Sequence, residues 1–164
     1  MRVLIVGGGR RGLDLAEELL GEGHAARVVT RGEERVPAIR AIGAEPWPGD
    51  PDRIGTLRYA LDNVTLLLWL LGTATGDPER VAALHGSRLE MMLERTVDTT
   101  VRGVVYEAAG TLAPEIYASG LHEMRRANER NEVPFAVLDA DPRDPVAWRA
   151  AAHAAIASLL GPRG

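Results

Sequence analysis

Residues 1–31 read MRVLIVGGGRRGLDLAEELLGEGHAARVVTR, and the prediction of the fold starts from this stretch. Residues 3–6 form a continuous apolar run, which is typical of a parallel strand covered on both faces. Leu13, Ala16 and Leu20 then recur at the spacing of an amphipathic helix, and a second apolar run closes the stretch. The order predicts a strand, a glycine-rich turn, a helix and a second strand.

The turn carries glycines with the spacing G-x-G-x-x-G, at Gly7, Gly9 and Gly12. In nucleotide-binding turns the first glycine permits the tight turn, the second lets the backbone approach a pyrophosphate, and the third lets the helix pack closely on the strand. The helix N-terminus adds unpaired N–H groups and a partial positive charge. We therefore expect a dinucleotide site built from backbone. The alternative is a glycine-rich turn in an α/β protein that binds no nucleotide.

The end of the second strand bears on which dinucleotide would bind. An NAD site usually places Asp or Glu there to accept hydrogen bonds from the ribose 2′-hydroxyl, whereas this chain has Thr30 and Arg31. A guanidinium can bind a 2′-phosphate through two hydrogen bonds, and a carboxylate would repel it. We therefore expect NADP, with NAD less favoured, with Arg31 as the phosphate ligand and Thr30 as a second donor. Arg10 and Arg11 in the glycine turn would add positive charge.

Two alternatives stay open at this strand end. Arg31 could be a solvated loop charge that binds nothing. Glu33 and Glu34 follow closely and could accept hydrogen bonds from the ribose of NAD.

Two further segments are expected beside the glycine turn, because ligands of doubly wound sheets bind at the carboxyl ends of the strands, where the winding reverses. Asp50 follows the predicted third strand and could accept a hydrogen bond from the adenine amino group, or form a turn or a helix cap. Residues 70–76 follow the fourth strand, and small residues there would leave space for ribose and nicotinamide. We assign Leu71 and Gly72 to the cofactor site, the alternative being an ordinary Gly/Thr loop.

Strand and helix patterns alternate along the rest of the chain, which favours βαβ units and a parallel sheet. We expect strands near residues 2–6, 25–30, 44–47, 64–70, 102–107 and 134–139, and helices near 10–21, 34–42, 53–61, 78–96, 114–131 and 145–160. Right-handed crossovers then give a doubly wound sheet of order 3-2-1-4-5-6 in a three-layer αβα arrangement. We see no second domain, so residues 1–164 form a single predicted Rossmann domain that binds NAD(P).

Composition excludes several classes of chemistry and partner. The chain has no cysteine and no lysine, so thiolate metal sites and lysine bases are excluded. The net charge of −4 gives no electrostatic footprint for nucleic acid, and the four histidines lack metal-ligand spacing. The longest apolar run is too short to cross a bilayer, and the chain opens directly on the first strand. We therefore expect a cytoplasmic protein with no membrane partner.

Several segments together resemble the atypical branch of the short-chain dehydrogenase/reductase superfamily, in its extended-like, epimerase-related form. The matching stretches are the glycine turn, Gly23-His24 leading to Thr30-Arg31, residues 41–46, Gly49-Asp50 and residues 61–64. The resemblance covers residues 1–75 well and the remainder only in element order. It implies that Arg31 suits NADP and that Asp50 meets the adenine.

The catalytic pattern departs from that superfamily, whose active members use a Tyr-x-x-x-Lys pair. The nearest candidate here is Tyr117, with Leu121 in the position of the lysine. We therefore expect an NADP(H)-binding module, with a redox-sensing or binding role. One alternative is an NADPH-dependent oxidoreductase acting on a small carbonyl or similar substrate, with Tyr106, Tyr117 or water as the proton source. Another is a partner-binding domain with a vestigial site. Small residues at 118–120 make a homodimer an additional expectation.

Overall fold

The computed structural model describes residues 1–161 as alternating strands and helices. The strands are β1 Arg2–Gly7, β2 Ala25–Thr30, β3 Glu45–Pro48, β4 Leu66–Leu70, β5 Gly103–Glu107 and β6 Phe135–Leu138. The helices are α1 Gly9–Gly21, α2 Val36–Ala41, α3 Pro78–Leu84, α4 Ser87–Thr96, α5 Pro114–Asn131 and α6 Pro145–Leu160.

The six strands form one sheet of order β3-β2-β1-β4-β5-β6, and every pairing is parallel. This confirms the predicted doubly wound topology and sheet order. The register places Val3 beside Ala26 of β2 and Leu66 of β4. The chain therefore reverses its winding between β1 and β4, and the two strands leave a crevice at their carboxyl ends.

Both faces of the sheet are covered, which is why the strands are apolar without alternation. Leu4, Val6, Leu67 and Trp69 belong to one core, under residues of α3, α4 and α5. The intervening strand residues belong to a second core, under α1, α2 and α6. The sheet thus forms the middle of the predicted three layers. Within residues 1–161, none of the helices has both the length and the apolarity that a membrane crossing requires.

Two predicted helices differ from the structure. The segment predicted as a helix at 53–61 forms two short 3-10 turns, Ile54–Leu57 and Tyr59–Leu61. Gly55 and Thr56 are weak helix formers, and the Thr56 hydroxyl bonds the Arg53 and Asp50 carbonyls instead of leaving the backbone to a regular ladder.

The helix predicted at 78–96 is divided into α3 and α4 by His85 and Gly86. The His85 ring turns inward to bond the Leu71 carbonyl and the Tyr106 hydroxyl, and Gly86 leaves the helical region with φ −134° and ψ −110°. The apolar periodicity continues across the break, so periodicity alone predicts one helix, although Gly86 is a helix-stop residue.

Candidate functional site

A cleft of about 600 Å³ lies at the carboxyl ends of β1, β2 and β4, where the winding of the sheet reverses. The ends of these three strands and the turns and loops that follow them supply most of its wall, and Pro51 and residues of α3 complete it. The predicted site residues that line it are Gly7, Gly9, Thr30, Arg31 and Leu71. Gly12, Arg10, Arg11, Asp50 and Gly72 are not part of its lining among the described residues.

The corner between β1 and α1 is shaped by three consecutive glycines. Gly7, Gly8 and Gly9 have φ of 82°, 86° and 49°, a left-handed conformation that side chains disfavour. A Cβ on Gly7 would collide with the Leu70 carbonyl, whereas a Cβ on Gly9 would meet no atom within 4 Å. Gly12 lets α1 pack on β1, since its Cβ would lie 3.0 Å from the Gly7 carbonyl oxygen. The first glycine is therefore required by packing, and Gly9 faces open space.

Helix α1 begins at Gly9, so its first N–H groups have no partner within the helix. Gly9 lines the cleft, so the cleft lies at the positive end of the helix dipole. Arg35, which the sequence analysis did not single out, donates from Nη2 to the Gly9 carbonyl at 3.1 Å and also lines the cleft. In the sequence, Arg35 could have been noticed only as a second arginine four residues after Arg31. The corner thus combines free backbone donors with a guanidinium.

The end of β2 brings a cation and an anion to the same wall. Arg31 is exposed and lines the cleft, and so does Glu34. Thr30 is buried and donates from its hydroxyl to the Gly32 carbonyl at 2.9 Å, which holds the turn after the strand. The cleft wall therefore contains Arg31 as predicted, together with one of the two glutamates that the alternative for NAD invoked.

Asp50 has a local structural role. Its Oδ1 accepts a hydrogen bond from the Asp52 backbone N–H at 2.9 Å, which makes a tight turn. Arg80 of α3 approaches Asp52 at 3.5 Å and Asp50 at 3.8 Å, and Arg80 also lines the cleft. The turn interpretation is thus observed, while the adenine contact stays a prediction. Arg80 was not anticipated, because it comes from a helix distant in sequence.

The two arginines of the glycine turn have partners within the protein and are not part of the cleft lining among the described residues. Arg10 is exposed and forms an ion pair with Asp14 at 3.3 Å. Arg11 donates from Nε to Glu107 at 3.0 Å, from Nη2 to the same carboxylate, and from Nη1 to the Gly8 carbonyl and the Thr73 hydroxyl. Four of the five N–H groups of Arg11 are therefore used inside the protein. The predicted phosphate contacts of both arginines remain untested.

Glu107, at the end of β5, is fully buried and is the centre of a network that the sequence analysis missed. Besides the Arg11 guanidinium, it accepts hydrogen bonds from the Gly72 backbone N–H and from the Trp148 indole, each at 2.8 Å. Arg11 also lies over the Trp148 ring, 5.6 Å from its centroid. Residues far apart in sequence meet here, so neither spacing nor composition could indicate the contact.

Next to this network, the tyrosines considered as proton sources are held in internal hydrogen bonds. The Tyr117 hydroxyl donates to the Gly72 carbonyl at 2.7 Å and accepts from the Leu112 N–H at 3.0 Å. The Tyr106 hydroxyl lies 2.6 Å from His85 Nδ1. Burial raises the pKa of both tyrosines above the ordinary value of 10.0, and it lowers the pKa of His85. Neither tyrosine lines the cleft in the part of the chain that the structure describes.

Gly120, one of the small residues proposed for a helix–helix contact, faces inward. A Cβ at this position would collide with the Tyr106 hydroxyl, so the glycine serves packing within the chain. Among residues 1–161 there is no group of three or more metal-ligating side chains that could hold an ion.

Comparison with known proteins gives a likeness of fold. No protein-family model matches the chain, and a search of curated proteins finds no relative. A short-chain dehydrogenase/reductase superfamily protein from Agrobacterium tumefaciens, solved with bound NAD, has a TM-score of 0.68 at 16% identity, over 84% of this chain and 48% of that one. The triphenylmethane reductase of Citrobacter sp., complexed with NADP(H), has a TM-score of 0.63 at 18% identity, over 84% of this chain and 48% of that one.

The UDP-glucuronic acid 4-epimerase of Bacillus cereus, in complex with NAD, has a TM-score of 0.69 at 14% identity, over 86% of this chain and 57% of that one. This chain spans about half the length of the dehydrogenase and the reductase. Identities this low establish the fold alone. The chain has the fold of short-chain dehydrogenase/reductase superfamily structures, which confirms at the level of the fold the resemblance predicted from its sequence.

Proposed function

We propose that this chain binds NADP(H) in the cleft at the ends of β1, β2 and β4 and acts as a redox-sensing or binding module. The observation that carries the proposal is the glycine corner, where Gly9 leaves room for an anion beside the unpaired N–H groups of α1. Gly9 combines a positive φ with space that no protein atom fills within 4 Å of an added Cβ, and that space belongs to the cleft.

The residues present fit a diphosphate and a 2′-phosphate. The N–H groups at the start of α1 and the Arg35 guanidinium would hold the diphosphate, and Arg31 at the end of β2 would bind the 2′-phosphate. Glu34 on the same wall would repel that phosphate, so Arg31 and Arg35 must outweigh it. The solved structures of like fold that hold NAD or NADP(H) add support for a dinucleotide.

The absent Tyr–Lys pair argues for binding without the usual chemistry. The chain has no lysine, and the nearest tyrosine, Tyr117, is tied to the Gly72 carbonyl. A bound nicotinamide supplies hydride transfer, but a proton must then come from elsewhere. The second candidate, an NADPH-dependent oxidoreductase acting on a small carbonyl or similar compound, is favoured by the likeness to a reductase complexed with NADP(H). NADPH consumption in a screen of small carbonyl compounds would favour this second candidate over the first.

Titration with NADPH and NADH, followed by nicotinamide fluorescence, tests the proposal. We expect saturable binding with a preference for NADPH. Arg31→Ala should weaken the binding of NADPH by about tenfold or more, since hydrogen bonds to a charged phosphate contribute roughly 1.5–3 kcal/mol. The affinity for NADH should change less.

Arg125→Ala is the matched control, because Arg125 is an exposed arginine of α5 outside the cleft lining. It should change neither affinity. Absence of saturable binding by either cofactor would contradict the proposal. If NADPH binds saturably and Arg31→Ala leaves its affinity unchanged, Arg31 is not the ligand of the 2′-phosphate and the proposed reason for a preference for NADP is lost.

A further inference from the structure

The two halves of this sheet differ at their carboxyl ends. In a doubly wound sheet each half, here β1–β3 and β4–β6, is a mononucleotide-binding unit, and a dinucleotide crosses from one to the other at the reversal point. The cleft of this chain belongs to the first half together with the loop after β4. No residue of β5, β6 or α5 lines it within residues 1–161. The open site therefore lies against the first half and the loop after β4, and the ends of β5 and β6 are not part of its wall.

The corner between β4 and β5 is closed by the chain itself. Glu107 lies fully buried at the carboxyl end of β5, and Arg11, the Gly72 N–H and the Trp148 indole satisfy its carboxylate. We call these four residues the β5 plug. The side chains come from the glycine turn, β5 and α6, so the plug ties three separate elements together.

The loops after β4 and β5 are also held against each other by close backbone contacts. A Cβ on Gly72 would collide with the Ala109 carbonyl, and one on Gly110 would collide with the Gly72 carbonyl. The Thr111 N–H donates to the Gly72 carbonyl at 3.2 Å, and Tyr117 donates to the same oxygen. A nucleoside could enter between these loops only by separating them and breaking the hydrogen bond from the Gly72 N–H to the buried Glu107 carboxylate, which is unfavourable.

We infer that the cleft recognises a 2′-phosphorylated adenosine diphosphate group. The second nucleoside of the dinucleotide makes no favourable contacts with this chain, because the β5 plug occupies the position where that nucleoside would bind. The inference rests on the proposed function and narrows it. The ligand class is an adenine nucleotide with a 5′-diphosphate and a 2′-phosphate, with or without nicotinamide. Arg80 and Leu84 of α3 and Pro51 also line the cleft, and the base would lie beside them.

The test compares NADP⁺ with 2′-phospho-ADP, which is the same molecule without the nicotinamide riboside, by isothermal titration calorimetry. We expect dissociation constants within about threefold of each other. NADP⁺ binding at least tenfold more tightly would overturn the inference and leave the proposed function standing. If neither compound binds, both proposals fall.

The indole N–H signals of the wild-type protein give an independent readout by NMR. The Trp69 indole donates to the Leu84 carbonyl at 2.9 Å, beside the cleft, whereas the Trp148 indole donates to Glu107 in the β5 plug. With each signal assigned from a Trp→Phe variant, we expect both ligands to shift the Trp69 signal and neither to shift that of Trp148. A Trp148 shift seen with NADP⁺ alone would show that nicotinamide displaces the plug, contrary to the inference.

Discussion

At the scale of single residues, the glycines of the first turn have different physical reasons to be glycine. Gly7 has no space for a side chain, because the Leu70 carbonyl and the Leu71 side chain lie against it. Gly9 has space but a positive φ of 49°, and the space belongs to the cleft. A substitution at Gly7 therefore acts on stability, and one at Gly9 acts chiefly on binding.

We expect Gly9→Ala to weaken NADPH binding by about tenfold or more, since a methyl group would enter the space proposed for the diphosphate. It should lower the free energy of unfolding by only about 1–2 kcal/mol, the cost of a left-handed alanine. Gly7→Ala should cost more, because a backbone clash adds to the same strain. NADPH titration and urea unfolding measure the two effects.

Gly21→Ala is the control for both substitutions, since Gly21 ends α1 with no atom within 4 Å of an added Cβ and with no positive φ. It should leave binding unchanged and stability equal or slightly higher. Normal NADPH affinity in Gly9→Ala would contradict the assignment of the corner.

The spacing of these glycines was readable from the sequence because the turn is local. The partner of Arg11 could not be predicted from the sequence, because Glu107 lies 96 residues further along the chain. Sequence reasoning assigned Arg11 by its position in the glycine turn, and only the packed structure shows where its guanidinium bonds. Arg31 was readable for the same reason as the glycines, since it directly follows a strand of clear pattern.

At the scale of secondary-structure elements, the break between α3 and α4 places His85 in the core. Nε2 lies 2.9 Å from the Leu71 carbonyl, which can only accept, so Nε2 carries the proton and Nδ1 accepts from the Tyr106 hydroxyl at 2.6 Å. The bond to Leu71 fixes the loop after β4, which forms part of the cleft wall. Helical periodicity alone could not show this break, because the apolar pattern continues through it.

Burial makes His85 a source of acid sensitivity. Its pKa is lowered below the ordinary value of 6.5, chiefly by desolvation, so the unfolded chain takes up a proton at a pH where the folded chain does not. This contribution to stability is complete above about pH 7 and is lost as pH falls below 6.5 toward the folded-state pKa. The wild-type urea midpoint should therefore fall more steeply than that of His85→Gln between about pH 7.5 and pH 5.5.

The comparison of slopes avoids dependence on how much His85→Gln destabilises the protein at neutral pH. His122→Gln, at an exposed position of α5, keeps His85 in place and should retain the wild-type pH dependence. Equal slopes in wild type and His85→Gln would contradict the neutral buried histidine.

At the scale of the whole molecule, the topology was predictable because six apolar strands alternate with helices and right-handed crossovers leave few arrangements. The sheet order and the strand ends that form the crevice followed from that pattern. The closure of the corner between β4 and β5 could not be predicted from that pattern. It depends on α6 carrying Trp148 against the end of β5, which is a property of packing between elements and leaves no periodic signal.

We propose that the corner between β1 and α1 binds a diphosphate, and a crystal structure of the protein with NADP⁺ tests this most directly. We expect the diphosphate within about 3 Å of the first N–H groups of α1, next to Gly9, and the 2′-phosphate on Arg31. Density for the diphosphate elsewhere, or a corner filled by side chains in the presence of saturating NADP⁺, would contradict the claim.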